Sequence, residues 1–389
     1  MSKLKVIENA KVVLENGIIW DGVIVIDGER IVSVGKNGAV EIPGDAEHID
    51  AKGAYVGPGF VDIHVHGGGK YFFYENPELA ADFFLSHGET TVLPTLYYDL
   101  SREELVESVK RIKTAIMSGR ADSIGGIYME GPYMNPKYGA SPEKNKWRGE
   151  IKRENYEELV REAGEYAKVW VIAPEREGVE DFVKFVKEIN PEAVISVGHS
   201  EATPEQVERF KKYGLILQTH SMNATGRPES SLGTRSCGPD EACMLDKDMY
   251  AEMISDSQAI HVHPDMQRLL LSVKGIDKIV LISDSFVSNE KPHPDFAHVT
   301  DLSFDANGSL CGSKLTLDVV IKNVIKHTGV TLAEAFRMTS YNPAKVIGMD
   351  SEIGTVEAGK TANLVVLDKD LNLEKVILKG KTYKGEKQC

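Results

Sequence analysis

Cysteine is scarce in this sequence of 389 residues, which contains Cys237, Cys243, Cys311 and Cys389 and no Cys-x-x-Cys pair. The low density excludes a disulfide-stabilised framework, and the spacing excludes the usual cysteine-rich zinc sites. We therefore expect four free thiols in a reducing cytosol, that is, a cytoplasmic protein.

Long apolar runs and excess positive charge are also missing. No stretch reaches the ~20 apolar residues of a membrane-spanning helix, and the start, MSKLKVIENAKVVL, alternates like a strand and lacks signal-peptide features. The formal net charge of -14 disfavours nucleic acid and anionic membranes as partners. A local basic pocket for a small anion is compatible with this charge, so we expect a small-molecule partner.

Both ends of the sequence consist of short alternating segments. The first 55 residues contain KVIENAKVVL, GIIWDGVIVIDG and ERIVSVG, and the last 40 or so contain GTVEAGKTANLVVLDKDLNLEKVILKGKTYKG. Alternation between Gly, Asn and Asp turns predicts antiparallel β-structure. We expect residues 1–55 and 352–389 to form one small β-sandwich domain.

Residues 56–351 alternate apolar strand candidates with helical segments. The eight candidates are FVDIHVH, TTVLPTL, SIGGIYME, KVWVIAP, AVISVGH, LILQTH, EMISDSQAIHV and KIVLISD. This order is typical of a (β/α)8 barrel of the TIM type. An open doubly wound sheet is the alternative, but the sequence lacks a GxGxxG after the first strand.

The first strand candidate ends in GFVDIHVHGGG, which contains two histidines one residue apart. Because side chains alternate along a strand, His64 and His66 point to the same face and both rings can reach one point. Imidazole is a common metal ligand, so the pair is a candidate metal site. The alternative is two half-buried histidines bonded to backbone carbonyls.

Ionisable residues recur at the predicted carboxyl ends of other strands, where barrel enzymes build their active sites. Beyond the histidine pair they are Glu130, His199, His220, His261 or His263, and Asp284. Burying so many imidazoles and carboxylates without partners would cost several kcal/mol each. Their recurrence therefore predicts a metal site.

The chemistry of these groups suggests their roles. Glu130, His199 and His220 supply three ligands and leave a coordination position for water, as a catalytic metal site requires. Asp284 is the candidate acid/base, with a plain metal ligand as the alternative. His261 is either a donor to the developing oxyanion or a residue that orients a ligand. These ligands suit zinc, iron, manganese or cobalt, and we expect one or two divalent ions per subunit, with zinc first.

Several motifs carry a family resemblance along residues ~6 to 368. PGFVDIHVHGGG, MEGPYMNPKYGA, SVGHSEAT, QTHSMNATG, IHVHP, LISDSF, EAFRMTSYNPAKVIG and GTVEAGKTANLVVLD resemble, in this order, the N-acetylglucosamine-6-phosphate deacetylases of the amidohydrolase superfamily. The HxH pair and GKTANLVVLD are widespread among amidohydrolases. EGPYMNPK, GHS and THSMNA are more specific to the deacetylases.

The resemblance implies roles for particular residues. Those that it assigns to the main metal are Glu130, His199 and His220. Those that it assigns to the amino-sugar pocket are Gly139, Ala140, Asn223 and Ala224. It also implies that Asp284 is the catalytic acid/base, that His261 contacts the scissile amide or the sugar, and that the protein is a homodimer. Because some members lack the histidine pair, its presence here implies a second metal, bridged by Glu130.

Two segments depart from the family pattern. After THSMNA the sequence reads TGRPESSLGTRSCGPDEACML in place of a GREPG segment whose arginine meets the sugar phosphate. Arg227 and Arg235 are both candidates for this contact, because guanidinium forks suit phosphate, and solvated loop charges are the alternative. The segment SDSQAIHVHP is longer than the family's ADGIHVHP, which leaves the relative positions of His261 and His263 open.

The predicted reaction is hydrolysis of the acetamide of N-acetylglucosamine 6-phosphate to glucosamine 6-phosphate and acetate. Another N-acetyl amino sugar, phosphorylated or not, is the first alternative. Cyclic-amide opening or base deamination is the second, although strand four ends in VWVIAPER without the lysine of dihydroorotases and hydantoinases. A non-catalytic scaffold is disfavoured, because no metal-site residue is missing.

Overall fold

The computed structural model describes residues 4–42, 44–228 and 234–383. Its larger part is a barrel of eight parallel strands: Phe60–Val65, Glu89–Tyr97, Ile127–Glu130, Ala167–Ile172, Val194–Val197, Leu215–Gln218, Tyr250–Ile254 and Ile279–Ile282. Each strand pairs with the next along the chain. Backbone hydrogen bonds from Asp284 N to His64 O (3.0 Å) and from His66 N to Ser285 O (2.9 Å) join the last strand's end to the first. The (β/α)8 prediction is confirmed.

Helices cover the barrel: Pro77–Ser86, Arg102–Met117, Arg153–Ala163, Val179–Ile189, Pro204–Lys211, Pro239–Leu245, Pro264–Lys274, Leu317–Thr328, Leu332–Phe336 and Asn342–Val346, the last two joined by a π-helical segment, Arg337–Tyr341. The helix Arg102–Met117 illustrates why these segments are helical. Ser101 and Glu104 form a capping box at its start, and Leu105, Val109 and Ile112 recur at helical spacing and are buried.

The two ends of the chain form one eight-stranded sheet. Its strands are Lys5–Leu14, Gly17–Asp27, Arg30–Lys36, Glu47–Asp50, Tyr55–Pro58, Leu364–Leu367, Leu373–Leu378 and Lys381–Thr382. Most pairs are antiparallel as predicted, but Lys5–Leu14 pairs in parallel with Glu47–Asp50 and Tyr55–Pro58, because the chain crosses to the other side of that strand and does not form a hairpin. The domain boundaries at residues 55/56 and 351/352 stay a prediction.

The described cysteines are unpaired, as expected from their scarcity. Cys237, Cys243 and Cys311 are free thiols, whereas Cys389 lies outside the described residues. None of the helices in the described part of the chain is both long and apolar enough to span a bilayer.

Candidate active site

Three site residues lie two positions beyond the ends of their barrel strands and have left-handed backbone: His199 (φ 45°), His220 (φ 28°) and Asp284 (φ 49°). This conformation costs about 1–3 kcal/mol per residue when the residue is not glycine. Surrounding backbone contacts maintain it, since Asn135 N donates to His199 O (2.9 Å) and Ser313 N donates to Asp284 O (2.8 Å). Strain of this kind concentrates at functional sites.

The first group of candidate ligands, which we call the triad, consists of Glu130, His199 and His220, all buried. Glu130 is the last residue of the third strand. Its Oε1 atom lies 2.8 Å from His199 Nε2 and 3.2 Å from His220 Nε2. The two Nε2 atoms lie 3.0 Å apart, so the donor atoms of three strand ends converge on one point.

The second group, the histidine pair, consists of His64 and His66, and it faces the same carboxylate. His64 Nε2 lies 3.7 Å from Glu130 Oε1, and His66 Nε2 lies 3.4 Å from Glu130 Oε2. Asp284 Oδ1 approaches the same two nitrogens, at 3.6 Å from His64 and 3.3 Å from His66. Glu130 therefore joins the triad to the pair, and Asp284 lies beside the pair.

This donor set fits divalent metal ions. The ligand atoms of each group, Glu130 included, lie within 4.8 Å of one another. Imidazole and carboxylate are ligands of zinc and of the other first-row divalent metals. His64 Nε2 is buried without a hydrogen-bond partner, and a cation at this position would satisfy it.

Electrostatics favours the metal-binding protonation state at two members of the triad, Glu130 and His199, whereas at His220 burial lowers the pKa but the hydrogen bond with Glu130 outweighs burial and raises it. Burial by itself raises the pKa of the Glu130 carboxyl, but its hydrogen bonds with His199 and His220 outweigh burial and keep that pKa well below its usual value. Burial also lowers the pKa of His199, which favours the neutral ring. An ionised carboxylate beside neutral imidazole is the form that coordinates a cation.

Around the pair, negative charge dominates. Burial opposes ionisation of Asp284, yet its hydrogen bond with His66 and the charge of His64 lower its pKa. For His64, burial lowers the pKa, but the surrounding carboxylates, those of Glu252 and Asp284 foremost, outweigh burial and raise the pKa to about 10. The pocket thus attracts positive charge, from a proton or from a metal ion.

A cavity of about 590 Å³ opens onto the ligand cluster, and its size is typical of a small-molecule site. The residues expected in the sugar pocket that line it are Gly139, Ala140, Asn223 and Ala224. Tyr98 Oη donates to Ala140 O at 2.8 Å and fixes this loop. A Cβ at Gly139, whose φ is 102°, would lie 2.3 Å from Tyr98 Oη, so this position requires glycine.

The two candidate phosphate-binding arginines lie outside the lining of this cavity. Arg227 Nη2 and Arg235 Nη2 both pair with Glu241 Oε1, at 2.8 and 3.0 Å. The cationic side chains that line the cavity are Lys137 and Lys144. A phosphate contact of Arg227 stays a prediction.

Strand seven ends earlier than predicted, and placing His261 or His263 at its end was wrong. The strand stops at Ile254, because the chain turns at Asp256, whose carboxylate accepts hydrogen bonds from the backbone of the following loop. His261 lies in this loop, with Nδ1 3.1 Å from Asp256 Oδ2 and a buried Nε2 without a hydrogen-bond partner. His263 is exposed and caps the next helix.

Sequence reasoning missed buried acids beside the candidate ligands, among them Asp62, which accepts a hydrogen bond from His64 N, and Glu252. Glu252, inside strand seven, contacts the ring of His64 through its carboxylate. The available signal was a glutamate within an otherwise apolar strand, because fully buried acids are rare unless they are paired.

A model of the Amidohydrolase family matches residues 55–383. The chain is 28% identical to the N-acetylglucosamine-6-phosphate deacetylase of Haemophilus influenzae, over 96% of this chain and 97% of that protein. It is also 28% identical to the N-acetylgalactosamine-6-phosphate deacetylase of Escherichia coli O157:H7, over 83% of this chain and 86% of that protein. The crystal structure of N-acetylglucosamine-6-phosphate deacetylase from Pasteurella multocida matches with a TM-score of 0.85 and 27% identity, over 98% and 99% of the two chains. These matches confirm the resemblance seen in the motifs.

Proposed function

The chain belongs to the amidohydrolase family, and from this premise we propose that it hydrolyses the acetamide of N-acetylglucosamine 6-phosphate to glucosamine 6-phosphate and acetate. The observation that carries the proposal is the convergence of the triad, the histidine pair and Asp284, all of which except His64 line one cavity. The names of the deacetylase relatives support this substrate class. The galactosamine epimer is the second candidate, because its deacetylase matches at equal identity.

We propose zinc as the metal, with iron, manganese and cobalt as alternatives. The triad would bind the first ion, and the histidine pair with Glu130 would bind a second. When bound, such an ion polarises the acetyl carbonyl and lowers the pKa of a water molecule. Elemental analysis of protein purified without added metal tests both identity and number, and a chain free of divalent metal but fully active would contradict the proposal.

Asp284 is the group that we propose moves the proton. Its lowered pKa keeps it ionised at neutral pH, so it can accept a proton from the water that attacks the acetyl carbonyl carbon. As the C–N bond breaks, Asp284 returns this proton to the sugar nitrogen. Acetic acid and the free amine form, the acid passes its proton to the amine to give acetate, and the Asp284 carboxylate is regenerated.

The sugar would lie against Gly139, Ala140, Asn223 and Ala224, which line the cavity. His261 would contact the amide or the sugar through its free Nε2, with Asp256 holding the ring. Asn223 supports this role, since its side chain reaches within 3.5 Å of the His261 carbonyl.

For the 6-phosphate we propose Arg227, with Arg235 and Lys144 as alternatives. Arg227 would exchange its contact with Glu241 for the phosphate, whereas Lys144 already lines the cavity. A hydrogen bond to a charged group contributes about 1.5–3 kcal/mol, or roughly 10- to 100-fold in kcat/KM. Alanine at the phosphate-binding residue should cause this loss on the phosphorylated sugar and leave activity on N-acetylglucosamine unchanged.

We also propose a cytoplasmic homodimer, as the family resemblance predicts. Light scattering on the protein as it elutes from a size-exclusion column should give twice the chain mass. A monomeric mass would contradict the proposed homodimer.

The substrate assay decides between the reactions. Metal-loaded protein should release acetate and a free amine in equal amounts from N-acetylglucosamine 6-phosphate, faster than from the galactosamine epimer or the unphosphorylated sugar. Asp284→Asn protein with its metal retained is the control for contaminating activity. Ammonia release from a base, or opening of a cyclic amide, without acetate release would overturn the proposal.

A further inference from the structure

Glu252 is a fully buried carboxylate within the seventh barrel strand, Tyr250–Ile254. Its Oε2 lies 3.0 Å from His64 Nδ1 and accepts a hydrogen bond from the backbone N–H of His220 at 3.1 Å. Its Oε1 accepts a hydrogen bond from the Tyr128 hydroxyl at 2.9 Å. One side chain therefore contacts a member of the histidine pair and a member of the triad.

The contact with His64 selects a tautomer. A carboxylate only accepts hydrogen bonds, so His64 Nδ1 must carry a proton, and when a metal ion replaces the proton on Nε2 the ring is neutral with its lone pair on Nε2. That lone pair faces Glu130 Oε1 and Asp284 Oδ1, two further acceptors at 3.7 and 3.6 Å. This ring orientation suits a cation placed between His64 and the carboxylates.

The contact with His220 acts on the backbone. His220 has φ 28°, a conformation that is unfavourable for a residue other than glycine. The hydrogen bond from its N–H to Glu252 stabilises this turn, which places His220 Nε2 3.0 Å from His199 Nε2. Losing the acceptor would release the turn that the triad needs.

A chain of hydroxyls fixes the carboxylate from the other side. Tyr128 Oη lies 2.8 Å from Thr219 Oγ1, which lies 2.7 Å from Ser196 Oγ. The chain links the third strand to the ends of the fifth and sixth strands, inside the barrel. Glu252 thus has little freedom to move, which a residue that orients ligands requires.

We infer that Glu252 is a positioning residue that orients His64 and the backbone of His220 so that both groups of ligands can bind metal. The inference rests on the proposed metal-dependent function, but it concerns metal binding and can be tested without the reaction.

The test is Zn²⁺ binding by Glu252→Gln protein, with Glu89→Gln as the matched control. Glutamine preserves the volume but presents an amide N–H to one of the donors now facing Glu252. Glu89 is an equally buried barrel glutamate that accepts a hydrogen bond from Leu317 N, which belongs to no candidate ligand. We expect Glu252→Gln to weaken Zn²⁺ binding by about 10- to 100-fold, the usual effect of losing a partner of a ligand, and Glu89→Gln to bind like the parent.

A double-mutant cycle with His64→Ala separates the two contacts. If Glu252 acts through His64, its replacement should weaken Zn²⁺ binding less in the His64→Ala protein than in the parent, and the remaining effect reports the contact with His220. Additive losses would exclude action through His64. Parent-like Zn²⁺ binding by Glu252→Gln would overturn the inference.

A measurement on the parent protein keeps the inference testable should Glu252→Gln fail to fold. In zinc-loaded protein labelled with ¹⁵N-histidine, the resonance that disappears in His64→Ala should show the tautomer protonated at Nδ1. The opposite tautomer would overturn the inference. Acetate assays on the same samples are independent, because a parent that binds Zn²⁺ but releases no acetate refutes the proposed function and not the role of Glu252.

Discussion

The triad and the histidine pair share the Glu130 carboxylate, yet the chain builds them differently. In the triad, His199 and His220 lie 2.8 and 3.2 Å from Glu130 and have left-handed backbone. In the pair, His64 lies within the first barrel strand, where the pairing with the second strand shifts register between Asp62 and Val65. His66 directly follows this strand, and the distances of the two rings to Glu130 are 3.7 and 3.4 Å. Strand alternation places the pair without strain, whereas the triad needs two strained turns.

This difference suggests an order of importance. Backbone strain persists only where the surrounding structure enforces it, and it concentrates where geometry serves function. We therefore expect the triad to bind its metal ion more tightly and to be essential for the reaction. The pair should bind a second ion that increases the rate of the reaction but is not essential for it.

The largest effect is expected from replacing Glu130, the carboxylate that the two groups share. Glu130→Gln should abolish metal binding in both, and acetate release should fall by at least about 10⁴-fold, because the metal contributes several kcal/mol to catalysis. Zinc analysis and the acetate assay measure the two effects on one sample.

The matched control is again Glu89→Gln. Burial raises the pKa of Glu89 well above its usual value, so glutamine mimics its protonated form and should leave metal content unchanged. Substantial zinc in the Glu130→Gln protein would show that the two groups are independent sites.

The second prediction separates proton transfer from metal binding. Asp284 lies beside the pair, at 3.3 Å from His66 Nε2, but outside the triad. Asp284→Asn should lower kcat by about 10²- to 10⁴-fold, as is usual for a general acid/base, with zinc retained in the triad. Loss of zinc together with activity would instead identify Asp284 as a plain metal ligand.

The comparison also explains what the sequence could predict. The period of two along a strand predicts that His64 and His66 share a face, and barrel topology predicts that Glu130, His199, His220 and Asp284 meet at one end. These are consequences of regular structure, which a local pattern encodes.

Irregular structure was harder to predict. Strand seven stops at Ile254 because Asp256 accepts hydrogen bonds from the backbone of the loop that follows. His261 therefore lies in this loop and not at the end of the predicted strand. Glu252 was missed because its partners come from strands one, three and six, which are distant in sequence. Such long-range partners become visible only when the barrel closes.

The smallest effect on the reaction is expected from replacing a histidine of the pair, and we compare it with the same replacement in the triad. His66→Asn should remove the second ion but leave the triad's ion in place, and kcat should fall by about tenfold or less, about 1.4 kcal/mol in the barrier. His220→Asn in the parent protein should weaken binding of the triad's ion by more than about 100-fold. This loss exceeds the usual cost of losing a hydrogen-bond partner of a ligand. Zinc titration of both variants provides the measurement. Equal losses of Zn²⁺ affinity would mean that the strained turns confer no advantage on the triad, because histidines with different backbone strain would then contribute equally to their two sites.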